Sequence, residues 1–142
     1  MNISDAGLSL IKSFEGCRLT AYLPTPQDVP TIGYGSTRGV TLGDTCTQAE
    51  ADQMLREDCS EAEGCVSMAV DVDLTQHQFD ALVSLVFNIG CGAFRGSTLL
   101  KLLNAGDFDA AQHQFSRWDK QAGKVLAGLT RRRAAEAALF AA

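Results

Sequence analysis

All three prolines of this chain, Pro24, Pro26 and Pro30, fall in one short span, and the five glycines Gly16, Gly33, Gly35, Gly39 and Gly43 bracket it. Proline fixes φ and removes a backbone donor, and glycine readily takes positive φ, so no helix can run through this region. Between the breaks lie two β-favouring pieces, Leu19–Leu23 and Thr31–Tyr34, which read as hairpin strands. Strand character appears nowhere else. Everything outside this stretch carries helical spacing, so the sequence predicts an α+β fold, predominantly α. A small β-rich lobe (about 17–46) packs against a larger helical lobe (about 1–16 and 47–142), with a cleft between them. With 142 residues, 46% hydrophobic and 20% charged, the chain fits a single domain able to bury a core.

The helical segments are set by caps and apolar spacing. Ser4 and Asp5 supply N-cap chemistry, Leu8, Ile11 and Phe14 recur at helical intervals, and Gly16 stops the segment. Thr47 and Glu50 form a capping box for a helix whose clearest apolar positions are Met54 and Leu55, and Gly64 ends or bends it. A further helix is predicted over Cys65–Val70. Thr75 caps the next, whose wide apolar face (Phe79, Leu82, Val83, Val86, Phe87) makes it the central buried helix, ending at Gly90. Ser97–Ala105 reads as a short helix closed by Gly106, and Asp107 caps another running to Trp118. Asp119–Leu129 reads as loop, and Thr130 as the cap of a final Arg- and Ala-rich helix.

Several function classes are excluded or weakened. No apolar run approaches the ~18 residues that span a bilayer, and the first residues lack the basic and apolar regions of a secretory leader, which points to synthesis in the cytosol. Net charge is −5. Up to Gly90 there are four Lys/Arg against thirteen Asp/Glu, and beyond it eight against four. A basic C-terminal half suits contact with an anionic polymer, or simply reflects different solvated helix faces. An acidic chain with one short arginine cluster is a poor nucleic-acid binder. Five cysteines without C-x-x-C spacing and only two histidines, His77 and His113, do not suggest a metal site, and nothing calls for a cofactor. The thiols read as buried and free in a reducing compartment, or as one or two disulfides with one thiol left over in an oxidising one. Gly33 and Gly35 lack the lysine and helix of a phosphate loop.

What remains is carboxylate chemistry around Ser13–Thr37. Glu15 falls in the last turn of the first helix, at the negative end of the macrodipole, where a purely structural role would favour Lys or Arg. Glycosidic bond cleavage needs little more than such an acid, plus a second group to handle water or the oxocarbenium charge.

At these residues the chain resembles the phage-type lysozymes, the muramidase endolysins of bacteriophages. The likeness is carried by Phe14–Tyr22 (FEGCRLTAY), Thr31–Gly35 (TIGYG), Gln78–Gly90 (QFDALVSLVFNIG) and Gly128–Glu136 (GLTRRRAAE), and so spans nearly the whole chain. The resemblance implies a two-lobed fold and hydrolysis of the β-1,4 bond between N-acetylmuramic acid and N-acetylglucosamine in peptidoglycan. By position, Glu15 matches the catalytic acid and Thr31 the threonine that helps place the attacking water. One member of Arg131–Arg133 is expected to pair with Glu15, the other two being solvated. Tyr34, Asn88 and Arg132 are expected on the substrate side, with the 90–96 loop as a sugar contact or hinge. Trp118 is expected in the core rather than stacked on a sugar.

Two positions depart from the family pattern. Pro24 stands where the second acidic residue is usual, and the segment to Thr31 is one residue longer, leaving Asp28 as the only carboxylate in that loop and its candidate replacement. Asp28 reads equally as a turn residue. Ser36 stands where many relatives carry histidine, which puts a local ion pair in doubt. Pro24 also raises the alternative of a lytic transglycosylase, which needs only Glu15; an inactive peptidoglycan-binding domain is a third reading. The resemblance further implies a monomer without stable membrane association. It would be made in the host cytoplasm and reach the wall through a separate holin-type permeabiliser.

Overall fold

A computed structural model describes residues 1–142. Its elements in chain order are α1 (Asp5–Glu15), β1 (Arg18–Tyr22), β2 (Thr31–Gly33), α2 (Gln48–Asp58), α3 (Ser60–Ala69), α4 (Gln76–Ile89), α5 (Cys91–Arg95), α6 (Thr98–Asn104), α7 (Phe108–His113), a 3-10 turn (Phe115–Arg117), β3 (Lys120–Gln121), β4 (Lys124–Val125) and α8 (Ala127–Ala141). The α+β lysozyme-like architecture expected from the sequence is present.

The β lobe is small. Strands β1 and β2 pair antiparallel, with Arg18 opposite Gly33 and Tyr22 opposite Thr31, and the register shifts between those pairs. The proline-rich connection and much of the lobe surface are exposed, including Leu19, Leu23, Val29 and Leu42. The helical lobe holds the core. Helix α4 runs through its centre and buries every residue from Phe79 to Val86, packing against α1, α3 and α8. The predicted capping box of Thr47 with Glu50 opens α2, and Thr75, expected as a cap, forms a full capping box with Gln78 at the start of α4. No helix is long and apolar enough to cross a membrane.

Five local expectations are corrected. Ser4 occupies the N-cap of α1, but its side chain caps nothing. Its hydroxyl donates to Asp80 of α4, and its backbone N–H donates to the same carboxylate at 3.0 Å. Helix α3 runs through Gly64 from Ser60; an exposed helical glycine costs only about 1 kcal/mol, less than the packing of Ala62, Cys65 and Val66 returns. The segment after Asp107 does not stay α-helical to Trp118 but tightens into a 3-10 turn after His113. Helix α8 begins at Ala127, so Thr130 lies inside it and donates its hydroxyl to Leu126 O. The residues before it are a hairpin rather than loop, turning at Ala122 (φ 52°) and Gly123 (φ 81°). Successive positive φ values are the mark of a type I′ turn, and alanine at its first position hides the signal.

Cys65 of α3 and Cys91 of α5 form a disulfide, with Cα atoms 6.0 Å apart, while Cys17, Cys46 and Cys59 are free. The fold therefore contains one bridge, as one reading allowed, but leaves three thiols free rather than one.

Candidate active site

Glu15 is the last residue of α1, and Gly16 follows with φ 67°, ending the helix and turning the chain into β1. The side chain of Glu15 is a quarter exposed, at 25%. Its Oε1 accepts a 2.6 Å hydrogen bond from Arg132 Nη1. Its Oε2 has no hydrogen-bond partner and faces the β lobe: a Cβ placed on Gly35 (φ 97°) would lie 3.9 Å from it. That distance is ordinary contact, so what calls for glycine at position 35 is the positive φ of the turn. One carboxylate oxygen is therefore held by a cation and the other is presented for chemistry. Beside Glu15 is an open depression of about 560 Å³, whose walls include Phe14, Asn88, Gln121, Leu126 and Arg132.

Arg132 is 4% exposed and sits on α8 between two carboxylates. Its Nε lies 3.3 Å from Glu136 Oε2, its Nη2 donates to Ser84 O at 3.4 Å, and its guanidinium carbon is 5.9 Å from the Phe14 ring centroid. Of the three arginines only Arg131 is exposed. Arg133, expected to be solvated, is 1% exposed. It bonds Glu136 and the Trp118 carbonyl. The correction has a simple cause: a helical arginine three residues before a buried glutamate points to the same face. Burial pushes the Glu136 carboxyl above its ordinary range, while Arg133, the Ser84 hydroxyl and Arg132 pull it back. Burial likewise depresses Arg133. Glu136 and Ser84 had no assigned role in the sequence; the spacing of Glu136 after Arg132 and Arg133 was the available signal.

The remaining candidates fall in different surroundings. Thr31 opens β2 at 6% exposure, and its hydroxyl donates to Val29 O at 3.0 Å, which leaves its oxygen lone pairs as acceptors. Pro24 is exposed. Asp28 is exposed too, and is held by its own turn: its carboxylate accepts from the Thr25 hydroxyl at 3.0 Å and its N–H donates to Thr25 O at 3.1 Å. Tyr34 is 8% exposed, part of the core, with its hydroxyl accepting from Gln48 at 3.0 Å and Lys12 near its ring. It buttresses the glycine turn against α2. Asn88 is exposed in the last turn of α4 on the wall of the depression. Trp118 packs against the core. The Ser36 hydroxyl donates to Asp58 at 2.6 Å, a hydrogen bond from a neutral donor to a carboxylate that ties the β lobe to α2.

Fold and site together define a lysozyme-like α+β domain with one arginine-paired carboxylate beside a cleft. Comparison with known proteins narrows the class: the chain belongs to the phage lysozyme family, whose description matches residues 12–136. It is 48% identical over 144 residues to an endolysin of Acyrthosiphon pisum secondary endosymbiont phage 1, covering 99% of this chain and 98% of that protein. To an endolysin of Bacillus phage PZA it is 49% identical over 142 residues, but there it spans only 55% of the relative's length. The muramidase domain of SpmX from Asticaccaulis excentricus superposes with a TM-score of 0.91 at 43% identity, covering 99% of this chain and 98% of that one.

Proposed function

We propose that this domain is a muramidase that hydrolyses the β-1,4 bond between N-acetylmuramic acid and N-acetylglucosamine in peptidoglycan, in the service of host cell lysis. The observation that carries the reading is the division of labour on Glu15: Arg132 occupies Oε1, and Oε2 is open toward the β lobe. Protonated at Oε2, Glu15 gives its proton to the glycosidic oxygen as the C–O bond breaks and positive charge builds at the anomeric carbon. A water then adds to that carbon from the opposite side of the sugar ring. Thr31, already donating to Val29 O, orients that water by accepting one of its hydrogens. Asp28 is the one carboxylate of the loop able to take the other, which requires it to leave Thr25. Attack from the opposite face inverts the anomeric carbon. Asn88 contacts the glycan from α4, and Tyr34 supports the turn. The protein acts as a monomer and, made in the host cytoplasm, reaches the wall through a holin-type partner.

The second reading, a lytic transglycosylase, is favoured by one observation: Pro24 stands where an acid is usual and Asp28 is engaged in its turn. Mass spectrometry of digested peptidoglycan decides. Reducing ends that carry one oxygen from labelled water support hydrolysis; 1,6-anhydro ends refute it. Glu15→Gln is expected to lower the rate at least ~10²-fold in either case, and retained activity would remove Glu15 from the mechanism and favour neither.

A further inference from the structure

A fully buried carboxylate lies behind the proposed acid, and the proposed reaction does not use it. Glu136 has no exposed surface. Its Oε2 accepts from Ser84 Oγ at 2.6 Å, from Arg133 Nη2 at 3.0 Å and from Arg132 Nε at 3.3 Å. Its Oε1 lies 2.6 Å from Arg133 Nε, an ion-pair contact without good hydrogen-bond alignment. Arg132 reaches past it to Glu15 Oε1. Two guanidiniums and two carboxylates thus form one chain across α8 and α1, and its charges sum to zero. Each element packed around Glu136 contributes known groups: Arg132 and Arg133 from α8, the Ser84 hydroxyl from α4, and, through Arg133, the Trp118 carbonyl after the 3-10 turn.

We propose that Glu136 is a positioning residue: it fixes the Arg132 guanidinium against one oxygen of Glu15 and cancels the second cation, Arg133, that would otherwise act on the same carboxylate. The inference rests on Glu15 being the general acid. Stability alone does not call for this arrangement, since apolar side chains of similar volume commonly replace buried ion pairs without loss. What apolar residues cannot supply is orientation. Arg132 is held at Nε by Glu136 and at Nη2 by Ser84 O, so Nη1 has little freedom to leave Glu15. With Glu136 neutral, two guanidiniums would stand behind one carboxylate, which favours its ionised, proton-poor form.

The test uses the whole domain and solubilised glycan strands, with kcat and KM measured by reducing-end release from pH 4 to 9, and folding checked by thermal melting. Glu136→Gln is expected to move the alkaline limb of kcat to lower pH by about one unit, because the acid loses its proton earlier, with KM changed less than about twofold. A uniform loss with the limb unmoved overturns the proposal. The double variant Arg133→Met/Glu136→Met keeps the charge sum at zero and removes the anchor. It is expected to leave the limb in place and lower kcat by about fivefold or more, and a wild-type kcat overturns the anchoring role. If neither variant melts cooperatively, the cluster is a requirement of folding and the proposal also falls. Wild-type protein that releases no reducing ends defeats the hydrolase reading itself, whatever the variants do.

Discussion

The same substitution, glycine to alanine, should move stability in opposite directions at two helical positions, because only one has room for a methyl group. In α1, a Cβ on Gly7 would meet Ile3 Cγ1 at 2.6 Å and the Cβ and Cγ of Asp80 at 2.8 Å. All three distances are far inside van der Waals contact. Asp80 cannot swing aside, since its carboxylate holds the Ser4 N–H and hydroxyl and the Gln76 amide. Helix propensity favours alanine by about 1 kcal/mol. Overpacking a filled site costs roughly 1–3 kcal/mol, and loosening a hydrogen bond to a buried carboxylate adds about 1 kcal/mol or more. Strain wins at Gly7, by about 2 kcal/mol. In α3, Gly64 is exposed with nothing within 4 Å of the added atom, so propensity acts alone. For a chain of this length 1 kcal/mol moves the midpoint by about 3 °C. Gly7→Ala is therefore expected to lower Tm by roughly 6 °C and Gly64→Ala to raise it by about 2–3 °C, read by circular dichroism under identical conditions. Two shifts of the same sign would refute the assignment of these effects to local space.

Three further outcomes follow from single contacts. Asp28→Asn should reduce hydrolysis at least ~10²-fold if the loop carboxylate takes the water's proton; near-normal rates of reducing-end release would leave Thr31 alone to orient the water. Breaking the Cys65–Cys91 bridge, which spans 26 residues, by Cys→Ser at both positions should cost about 3.5 kcal/mol in the chain-entropy account, and a Tm unaffected by reductant in the wild type would contradict it. The Cys59 thiol, fully buried, is pushed up to about 12 by desolvation. A raised folded pKa gives stability that is complete below the unfolded thiol's ordinary value near 9 and lost as pH climbs toward 12. Compared with Cys59→Ala, the wild type should lose roughly 1 kcal/mol more between pH 8 and 10, visible as a steeper fall of its denaturation midpoint.

How far local sequence specifies local structure follows the range of the forces involved. Capping boxes at Thr47 and Thr75 and the stop at Gly16 act over three or four residues, so the sequence specifies them outright. Helix α4 was legible for a related reason: a run buried on nearly every side must be apolar nearly all round. Expectations failed where a distant partner changed the local balance. Ser4 gives its hydroxyl to Asp80, 76 residues away, instead of capping α1. Helix α3 keeps Gly64 because the packing of its other face outweighs a small local penalty.

The site divides along the same line. Local pattern alone put Glu15 at a helix end beside a glycine turn; Thr31 and Asp28 were singled out only through the resemblance to the phage-type lysozymes. Which arginine meets Glu15 could be decided only by the packing of α8 on α1 and α4, since the three sit 100° apart around one helix. That packing selects Arg132 for Glu15, turns Arg133 inward and leaves Arg131 to solvent. It also places Glu136, 121 residues from Glu15 in the chain, as the second carboxylate on the same guanidinium. Sequence determines which groups a chain can bring to its chemistry. Their pairing is decided by the fold, because charges separated by more than a hundred residues meet only when burial leaves them no other partner.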